Sequence, residues 1–162
     1  MRSDHPPGAD PIVTRRLVLR RLERGPARAL ARGDSSGIVA AGGWPTDATA
    51  MVAHRAAADP GALTWLIHHE GAVIGECGLK HGPGLDGTVE IAYGLGGPWR
   101  SRGYGTEAIR GLLGWLEGSV ACRHVTAEVH EGNVPSRRLL ERLGFTVDDL
   151  TPPYVWYTRT LG

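Results

Sequence analysis

The chain has 162 residues, of which 41% are hydrophobic and 22% are charged, and its formal net charge is +1 at pH 7. This size and composition favour a single globular domain with a substantial core. A nearly neutral chain has no general attraction for nucleic acid or for an anionic membrane, so we expect neither as a partner, and any anion site must be local.

The cysteines and histidines form no recognisable ligand set. Cys77 and Cys122 make no C-x-x-C pair, and the seven histidines are dispersed along the chain. The sequence therefore predicts no disulfide framework, no metal site and a cytoplasmic location. Residues 1–13 have no apolar run of signal-peptide length, and no segment reaches the roughly 18 apolar residues of a membrane span. We expect residues 1–13 to be a disordered tail and residues 14–162 to form one domain.

The first half of the chain predicts one strand, two short helices and a meander of three strands. Apolar and basic residues alternate in RLVLRRL, residues 16–22, as is typical of a half-buried strand. Residues 26–58 are rich in alanine and predict two helices, the second capped by Thr46 or Asp47. Three apolar runs over residues 63–95, separated by turn residues, predict an antiparallel meander.

The second half alternates helices with strands. Helices are predicted over residues 106–119 and 134–143, with Gly144 in the position of a C-terminal glycine cap. Strands are predicted over residues 124–131, 145–149 and 154–161. This order of elements predicts an α/β (α+β) fold in which a mixed sheet of about seven strands carries helices on both faces.

The stretch PWRSRGYGTEA, residues 98–108, predicts a local site for phosphate groups. It combines Arg100 and Arg102 with two glycines at the start of a helix. The N–H groups of a helix N-terminus bind anions, and Gly103 and Gly105 let the backbone approach a ligand because no Cβ intervenes.

A dinucleotide site is the less favoured alternative for this stretch. Gly103, Gly105 and Ala108 satisfy the G-x-G-x-x-A fingerprint, and Glu128 follows at about the distance expected of an acidic ribose partner. The fingerprint needs its first glycine directly after a strand, whereas the basic segment GGPWRSR follows the strand that ends near Leu95. An NAD-binding protein of Rossmann type is therefore a secondary hypothesis, and the P-loop pattern does not occur.

Two motifs together resemble the GNAT superfamily of acetyl-CoA-dependent N-acetyltransferases. RSRGYGTEA resembles the signature [Q/R]-x-x-G-x-[G/A], and NVPSRRLLERLGF resembles the second signature, N-x-x-[A/S] followed by G-F. VEIAYGL and TRRLVLRRLE are similar to segments of the RimJ/RimL-type branch. The resemblance covers residues 14–161 and implies a mostly antiparallel GNAT-type sheet with acetyl-CoA as co-substrate.

The resemblance also implies where coenzyme A binds. Strands that splay apart in the family would free the backbone from Tyr93 to Leu95 for the pantetheine arm. Asn133 resembles the asparagine that binds this arm, although it fits a helix cap equally well. Ser136 corresponds to the small residue beside which coenzyme A passes. The pyrophosphate would be bound by Arg100 and by the backbone amides of Arg102, Gly103, Tyr104, Gly105 and Thr106.

Acetyl transfer needs a neutral amine, a polarised thioester and a stabilised thiolate. An α-amino group with a pKa of about 8 is about a tenth neutral at pH 7, whereas a lysine side chain with a pKa of about 10.4 is almost entirely charged. A peptide amino terminus therefore needs less help from a base than a lysine or an aliphatic amine.

Glu90 is the main candidate for the general base. Strand alternation places it on the face opposite Val89, Ile91, Tyr93 and Leu95, and a carboxylate in mid-strand needs an explanation. A structural acid that is paired with one of the arginines or faces water is the alternative. Glu107 more simply complements the dipole of its helix, and His130 is a weaker candidate base.

The proton donor for the thiolate is open. Many family members have a tyrosine seven residues after the asparagine, a position that Leu140 occupies here. Ser136, Tyr104 or water would then protonate the thiolate. No Ser-His-Asp or Cys-His arrangement indicates a covalent intermediate, so direct transfer is the simpler mechanism.

The sequence therefore predicts a RimJ/RimL-like N-acetyltransferase, as a monomer or homodimer. Residues 26–58, including Trp44, and the last strands around Tyr154, Trp156 and Tyr157 would select the acceptor. That acceptor is a protein amino terminus or a small-molecule amine. A non-catalytic acyl-CoA-binding module is the alternative, and the missing tyrosine favours it.

Overall fold

Eight strands and four helices make up the described part of the chain in the computed structural model, which comprises residues 10–119 and 121–162. In chain order they are β1 (Ile12–Val13), β2 (Val18–Arg21), α1 (Arg24–Ala31), α2 (Thr49–Ala58), β3 (Thr64–His69), β4 (Ala72–Leu79), β5 (Thr88–Leu95), α3 (Tyr104–Glu117), β6 (His124–His130), α4 (Val134–Arg142), β7 (Thr146–Thr151) and β8 (Tyr154–Thr160). A 3-10 turn over Gly97–Trp99 precedes α3.

The strands form one mixed sheet with the spatial order β1-β2-β3-β4-β5-β6-β8-β7. Neighbouring strands are antiparallel except β5 and β6, which are parallel because α3 crosses over between them. The predicted fold class is confirmed. The described sheet has eight strands instead of about seven, because Ile12 and Val13 of the predicted tail pair with β2. Residues 1–9 of that tail lie outside the described residues.

The helices cover both faces of the sheet. α3 and α4 pack on one face, where Ile109, Leu112 and Leu140 are buried against the strands. α1 and α2 pack on the other face in a smaller cluster that contains Leu30 and Ala53. The central strands are therefore buried on both sides, which explains why their apolar runs are nearly continuous.

The ends of α4 and the start of α3 follow local turn chemistry. Asn133 caps α4 by accepting the N–H of Ser136 over 3.3 Å, and Gly144, with a φ of 84°, follows its last residues as predicted. α3 begins at Tyr104 instead of residue 106, because Gly103 adopts a φ of 82° and directly precedes the helix as its N-cap.

The start of α2 differs from the prediction. Its N-cap is Ala48 rather than Thr46 or Asp47, and no side chain caps the helix. Instead, the N–H of Thr46 donates to the hydroxyl of Thr49 over 2.9 Å and closes a turn before the helix. Thr49 is 3% exposed, so this turn holds its hydroxyl in the protein interior.

A cluster that we call the Glu107 clamp ties the first turn of α3 to the turn between β1 and β2. One carboxylate oxygen of Glu107 accepts the Thr14 hydroxyl over 2.5 Å and the Arg16 N–H over 2.8 Å, and the other accepts Arg16 Nε over 2.7 Å. Burial acts to raise the pKa of Glu107, but the hydrogen bonds from Thr14 and Arg16 and the charge of Arg16 hold it below its ordinary value. Glu107 therefore has a structural role in which its ionised form is favoured.

We expect Glu107→Gln to lower the melting temperature by about 2–4 °C, which corresponds to about 1 kcal/mol for a chain of this size. Because the pKa of Glu107 is lower in the folded state, its stabilisation is present above the unfolded pKa of about 4.3 and is lost as the pH falls through the folded pKa. Thermal denaturation should therefore show that the difference in melting temperature between wild type and variant shrinks as the pH is lowered from about 6 to about 3, the range over which carboxylates titrate.

Glu117→Gln is the matched control because it makes the same change at the other end of α3. The Glu117 carboxylate lies 3.3 Å from Arg159 in an exposed ion pair, and such pairs contribute little. Equal losses in the two variants would contradict the role of the Glu107 clamp.

Candidate active site

Strands β5 and β6 pair over a short distance and then separate. The register joins Thr88 to His124, Val89 to Val125 and Glu90 to Thr126. β5 continues along β4 to Leu95, and β6 continues along β8 to His130. Within the described sheet, the edge of β5 that faces β6 is therefore without a strand partner from Ile91 onward. The Tyr93–Leu95 segment lies on this free edge, where backbone groups are available to a ligand.

The separation opens a cleft of about 270 Å³. Residues 91–94 of β5 and 127–130 of β6 form two of its walls. Met51 of α2 lies on a third side, and Asn133 and Ser136 line it at the start of α4. The cleft thus brings together the predicted arm-binding strand, the predicted asparagine and the predicted serine.

The glycine-rich stretch forms the first turn of α3 and the loop before it. The N–H of Glu107 donates the first intrahelical bond, to the carbonyl of Gly103 over 3.0 Å. The N–H groups of Tyr104, Gly105 and Thr106 precede that bond and lie at the helix N-terminus. This arrangement is suited to binding an anion.

The two glycines serve different purposes. A Cβ at Gly105 would lie 2.9 Å from Leu139 Cδ1 and 3.6 Å from Leu95 Cδ1, so this glycine lets α3 approach α4 and the end of β5. A Cβ at Gly103 would meet only Arg16, over 3.2 Å, but the φ of 82° at this residue favours glycine. Gly105 thus places the helix N-terminus beside the cleft, and Gly103 forms the turn that starts the helix.

The predicted arginines flank this loop and also contact protein groups. Arg100 Nε donates to the carbonyl of Leu95 over 3.1 Å, and the Arg102 guanidinium lies 5.7 Å from the centroid of the Trp99 ring. Arg16, which the sequence reasoning did not single out, donates to the carbonyl of Arg102 over 3.1 Å. Its only sequence signal is the segment TRRL at the start of the domain.

Tyr93 and Ser136 meet across the gap between β5 and α4, where their hydroxyl oxygens are 2.5 Å apart. Burial raises the pKa of Tyr93, and the hydrogen bond with Ser136 only partly offsets this, so the phenol keeps its proton at neutral pH. Leu140, in the position of the family tyrosine, is buried in the core. The sequence predicted that the backbone of Tyr93 binds the pantetheine arm, and it predicted no role for the hydroxyl.

Two other candidates occupy different surroundings. The Tyr104 hydroxyl lies 3.1 Å from His69 Nε2 of β3. Among the described residues, Tyr104 is not one of those that line the cleft. His130 lines the cleft, and its Nδ1 accepts the N–H of Gly132 over 3.0 Å.

Glu90 forms an ion pair with Lys80, the only lysine of the chain. The two side chains are 16% and 27% exposed, respectively. The sequence predicted either a base or a structural acid that is paired with an arginine or faces water, and the structure places a lysine beside Glu90 instead. Lys80 lines the cleft, whereas Glu90 is not among the lining residues. The role of Glu90 as base stays a prediction.

The sequence reasoning missed a carboxylate in the wall of the cleft. Glu76 of β4 is 3% exposed, and it accepts Trp44 Nε1 over 2.6 Å and the Thr49 hydroxyl over 3.1 Å. Burial raises the pKa of Glu76, and these two hydrogen bonds partly offset the effect. Its sequence signal was a single acid within the apolar run VIGECGL.

The predicted acceptor residues divide into exposed and buried groups. Tyr154 is 42% exposed and lies beside His130, with ring centroids 6.0 Å apart. Trp156 is half-buried and pairs in register with Glu128, which lines the cleft. Tyr157 is fully buried. Of these three residues, only Tyr154 and Trp156 are therefore exposed enough to contact an acceptor.

Two further observations concern the described ranges 10–119 and 121–162. They contain no group of three or more His, Cys, Asp or Glu side chains suited to holding a metal ion. None of their helices has the length and apolar character that crossing a membrane requires.

Comparison with known proteins gives relatives of one kind. The chain is 28% identical over 82 residues to YjdG, an uncharacterized N-acetyltransferase of Bacillus subtilis, and the match covers 51% of this chain and 49% of YjdG. It is 30% identical over 89 residues to the N-acetyltransferase p20 of Bacillus licheniformis, covering 55% of this chain and 50% of p20. The chain thus spans about half the length of the curated relatives it matches.

Solved structures share the fold over nearly the whole chain. RimJ of Mycobacterium smegmatis, in complex with a CoA-disulfide, has a TM-score of 0.71 at 20% identity, covering 96% of this chain and 90% of RimJ. RimL, described as a ribosomal L7/L12 alpha-N-protein acetyltransferase, has a TM-score of 0.67 at 16% identity, covering 94% and 98%. At these identities the likeness establishes the fold.

The family follows from a match to a sequence model. The model of the acetyltransferase (GNAT) domain matches residues 16–146, which include the β5–β6 separation, the first turn of α3 and the start of α4. The chain therefore belongs to the GNAT acetyltransferase domain family.

Proposed function

We propose that this chain is an acetyl-CoA-dependent N-acetyltransferase that transfers the acetyl group directly to a primary amine. The observation that carries the proposal is the separation of β5 from β6 beside the N-terminus of α3. A free strand edge suits an extended arm with amide groups, and a helix N-terminus suits a pyrophosphate. Family membership supports the same conclusion.

Coenzyme A would lie with its pyrophosphate at the backbone amides of residues 102–106. Arg100 and Arg102 would add positive charge beside this turn. The free edge at Tyr93–Leu95 would bind the pantetheine arm. Asn133 uses its side-chain oxygen as a helix cap, which leaves its amide N–H groups for the arm. When bound, acetyl-CoA supplies an acetyl group activated as a thioester.

Ser136, hydrogen-bonded to Tyr93, would protonate the departing thiolate. A serine hydroxyl alone is a weak acid, but Tyr93 can donate its own proton to Ser136 as that serine gives one up. The 2.5 Å separation of the two oxygens and the position of Ser136 on the cleft support this role. The pair would replace the tyrosine that Leu140 does not provide.

The acceptor that we propose is the amino terminus of a protein or peptide. RimJ and RimL are among the proteins that share the fold, and RimL is described as an alpha-N-protein acetyltransferase. Met51, which is exposed and lines the cleft, and Tyr154, which is exposed beside the lining residue His130, provide apolar surface for residues that follow an amino terminus. Small-molecule amines are the alternative acceptors.

Release of free thiol from acetyl-CoA tests this function. We expect turnover with peptides that carry a free amino terminus, little with the same peptides blocked at the amino terminus, and less with small amines. Turnover with small amines alone would replace the acceptor class. Binding of coenzyme A without turnover would indicate an acyl-CoA-binding module, and binding of NAD but not of coenzyme A would contradict the cofactor assignment.

Gly103→Glu should lower the affinity for coenzyme A at least tenfold, or by about 1.4 kcal/mol. The substitution places negative charge and bulk at the turn that would face the pyrophosphate, and titration calorimetry would measure the loss. Gly33→Glu is the matched control, because Gly33 has a φ of 81° in open space after α1. Equal affinities of the two variants would contradict the pyrophosphate site.

Ser136→Ala and Tyr93→Phe should each lower kcat by about tenfold, less than the loss of a full proton-transfer catalyst because water can substitute. If the two hydroxyls act as one relay, the double variant should lose no more than the worse single variant. Steady-state kinetics with a saturating peptide would measure this. Multiplied losses would show that the hydroxyls act independently.

A further inference from the structure

Glu76 is a buried carboxylate that the coenzyme A site does not use. Its 3% exposure makes it the one buried carboxylate of the described residues. Both hydrogen-bond donors to it are neutral, namely the Trp44 indole and the Thr49 hydroxyl. The ion pairs of the described residues do not include Glu76. Because a carboxylate accepts about four hydrogen bonds, Glu76 retains capacity for a cationic donor.

The carboxylate of Glu76 can be reached from the cleft because Gly94 lies next to it. The two residues are register partners on β4 and β5 and therefore share a face of the sheet. A Cβ at Gly94 would lie 3.8 Å from a carboxylate oxygen of Glu76, and glycine leaves that space open. Both residues line the cleft, and Gly94 also belongs to the free edge of β5. Glu76 thus lies one strand away from the edge that would hold the thioester.

We propose that Glu76 receives the acceptor amine, binding its ammonium form and taking its proton before attack. The inference rests on the proposed function and assigns the acceptor subsite within it. That subsite consists of Glu76 and its two positioning residues, Trp44 and Thr49. The chemical class that it accepts is a primary ammonium group.

The step balances in protons and bonds. An ammonium N–H bond breaks and its proton passes to an oxygen of Glu76. The nitrogen lone pair then forms the N–C bond to the acetyl carbonyl carbon, and the C–S bond breaks. The nitrogen then loses a second proton to water, and water returns one proton to the Tyr93–Ser136 pair, which replaces the proton that the leaving thiolate took from Ser136. Glu76 returns its proton to water.

The surroundings favour Glu76 over Glu90 for this task. Glu90 already contacts the Lys80 ammonium, whereas Glu76 has only neutral partners. Burial raises the pKa of Glu76, which makes its carboxylate a stronger base near neutral pH. The other ionisable side chains that line or border the cleft are Arg55 of α2, Lys80 directly after β4, Glu90 and Tyr93 of β5, and Glu128 and His130 of β6.

Three variants of the full chain with the same substitution test the inference. They are Glu76→Gln, Glu90→Gln and Glu117→Gln, and thiol release would be followed with a saturating peptide amine across the pH range. We expect Glu76→Gln to lower kcat at least about 100-fold, the range of general-base catalysis, with coenzyme A affinity within twofold of wild type. Glu117→Gln, far from the cleft, should match wild type.

Suppose that the wild-type chain turns over. A kcat of Glu76→Gln equal to that of wild type, or a larger loss of kcat in Glu90→Gln than in Glu76→Gln, would then overturn the assignment to Glu76 and leave the proposed function intact. No turnover by the wild-type chain with any amine would overturn the proposed function and this inference with it. Both outcomes are therefore distinguishable in one set of assays.

A pH profile provides a readout that a merely structural role would not move, and it serves if Glu76→Gln fails to fold. Trp44→Phe removes a hydrogen bond that lowers the pKa of Glu76, so the acid limb of kcat should shift to higher pH. An unshifted limb would overturn the proposal. So would a limb that persists in Glu76→Gln and disappears in His130→Gln.

Discussion

The early end of the pairing between β5 and β6 is the constraint on which the candidate site depends. Each strand stays paired along its other edge, β5 with β4 and β6 with β8, so the two halves of the sheet can diverge without losing their own ladders. Unpaired backbone groups are costly when buried, and here they line an open cleft instead. The contact between Tyr93 and Ser136 then joins β5 to α4 across the gap. The divergence thus leaves one edge of β5 free for a ligand, while both strands keep their hydrogen bonds to their other neighbours.

The position of α3 relative to this edge follows from contacts between distant parts of the chain. Gly105 allows close packing against Leu139 of α4, and the Glu107 clamp holds the same turn to the start of the domain. Because Arg16 bonds both Glu107 and the carbonyl of Arg102, the loop and the helix form one unit with β1 and β2. The TRRL and TEA segments are far apart in the sequence, but their side chains therefore form one hydrogen-bonded cluster, the Glu107 clamp.

Much of this architecture could be predicted from local patterns, because periodicity, caps and glycine turns act over a few residues. The order of the strands and helices, the cap at Asn133 and the glycine at residue 144 are examples. Glu76 could not be placed in this way. A register shift between β3 and β4 interrupts strict alternation, so Val73 and Glu76 share the face that alternation would have assigned to only one of them. The lysine beside Glu90 and the hydroxyl beside Tyr93 depend on tertiary contacts that no local pattern contains.

The two glutamates show how surroundings can separate the roles of identical side chains. Glu76 and Glu90 lie on neighbouring antiparallel strands of the same sheet. The Lys80 ammonium neutralises Glu90 and occupies one of its oxygens, so this carboxylate has a permanent cation at its side. Glu76 has an indole and a hydroxyl instead, which orient the carboxylate without neutralising it. A buried anion with neutral partners is stabilised when a cation or a proton arrives. An amine that carries both can relieve that cost, and this is the physical reason to place the acceptor at Glu76.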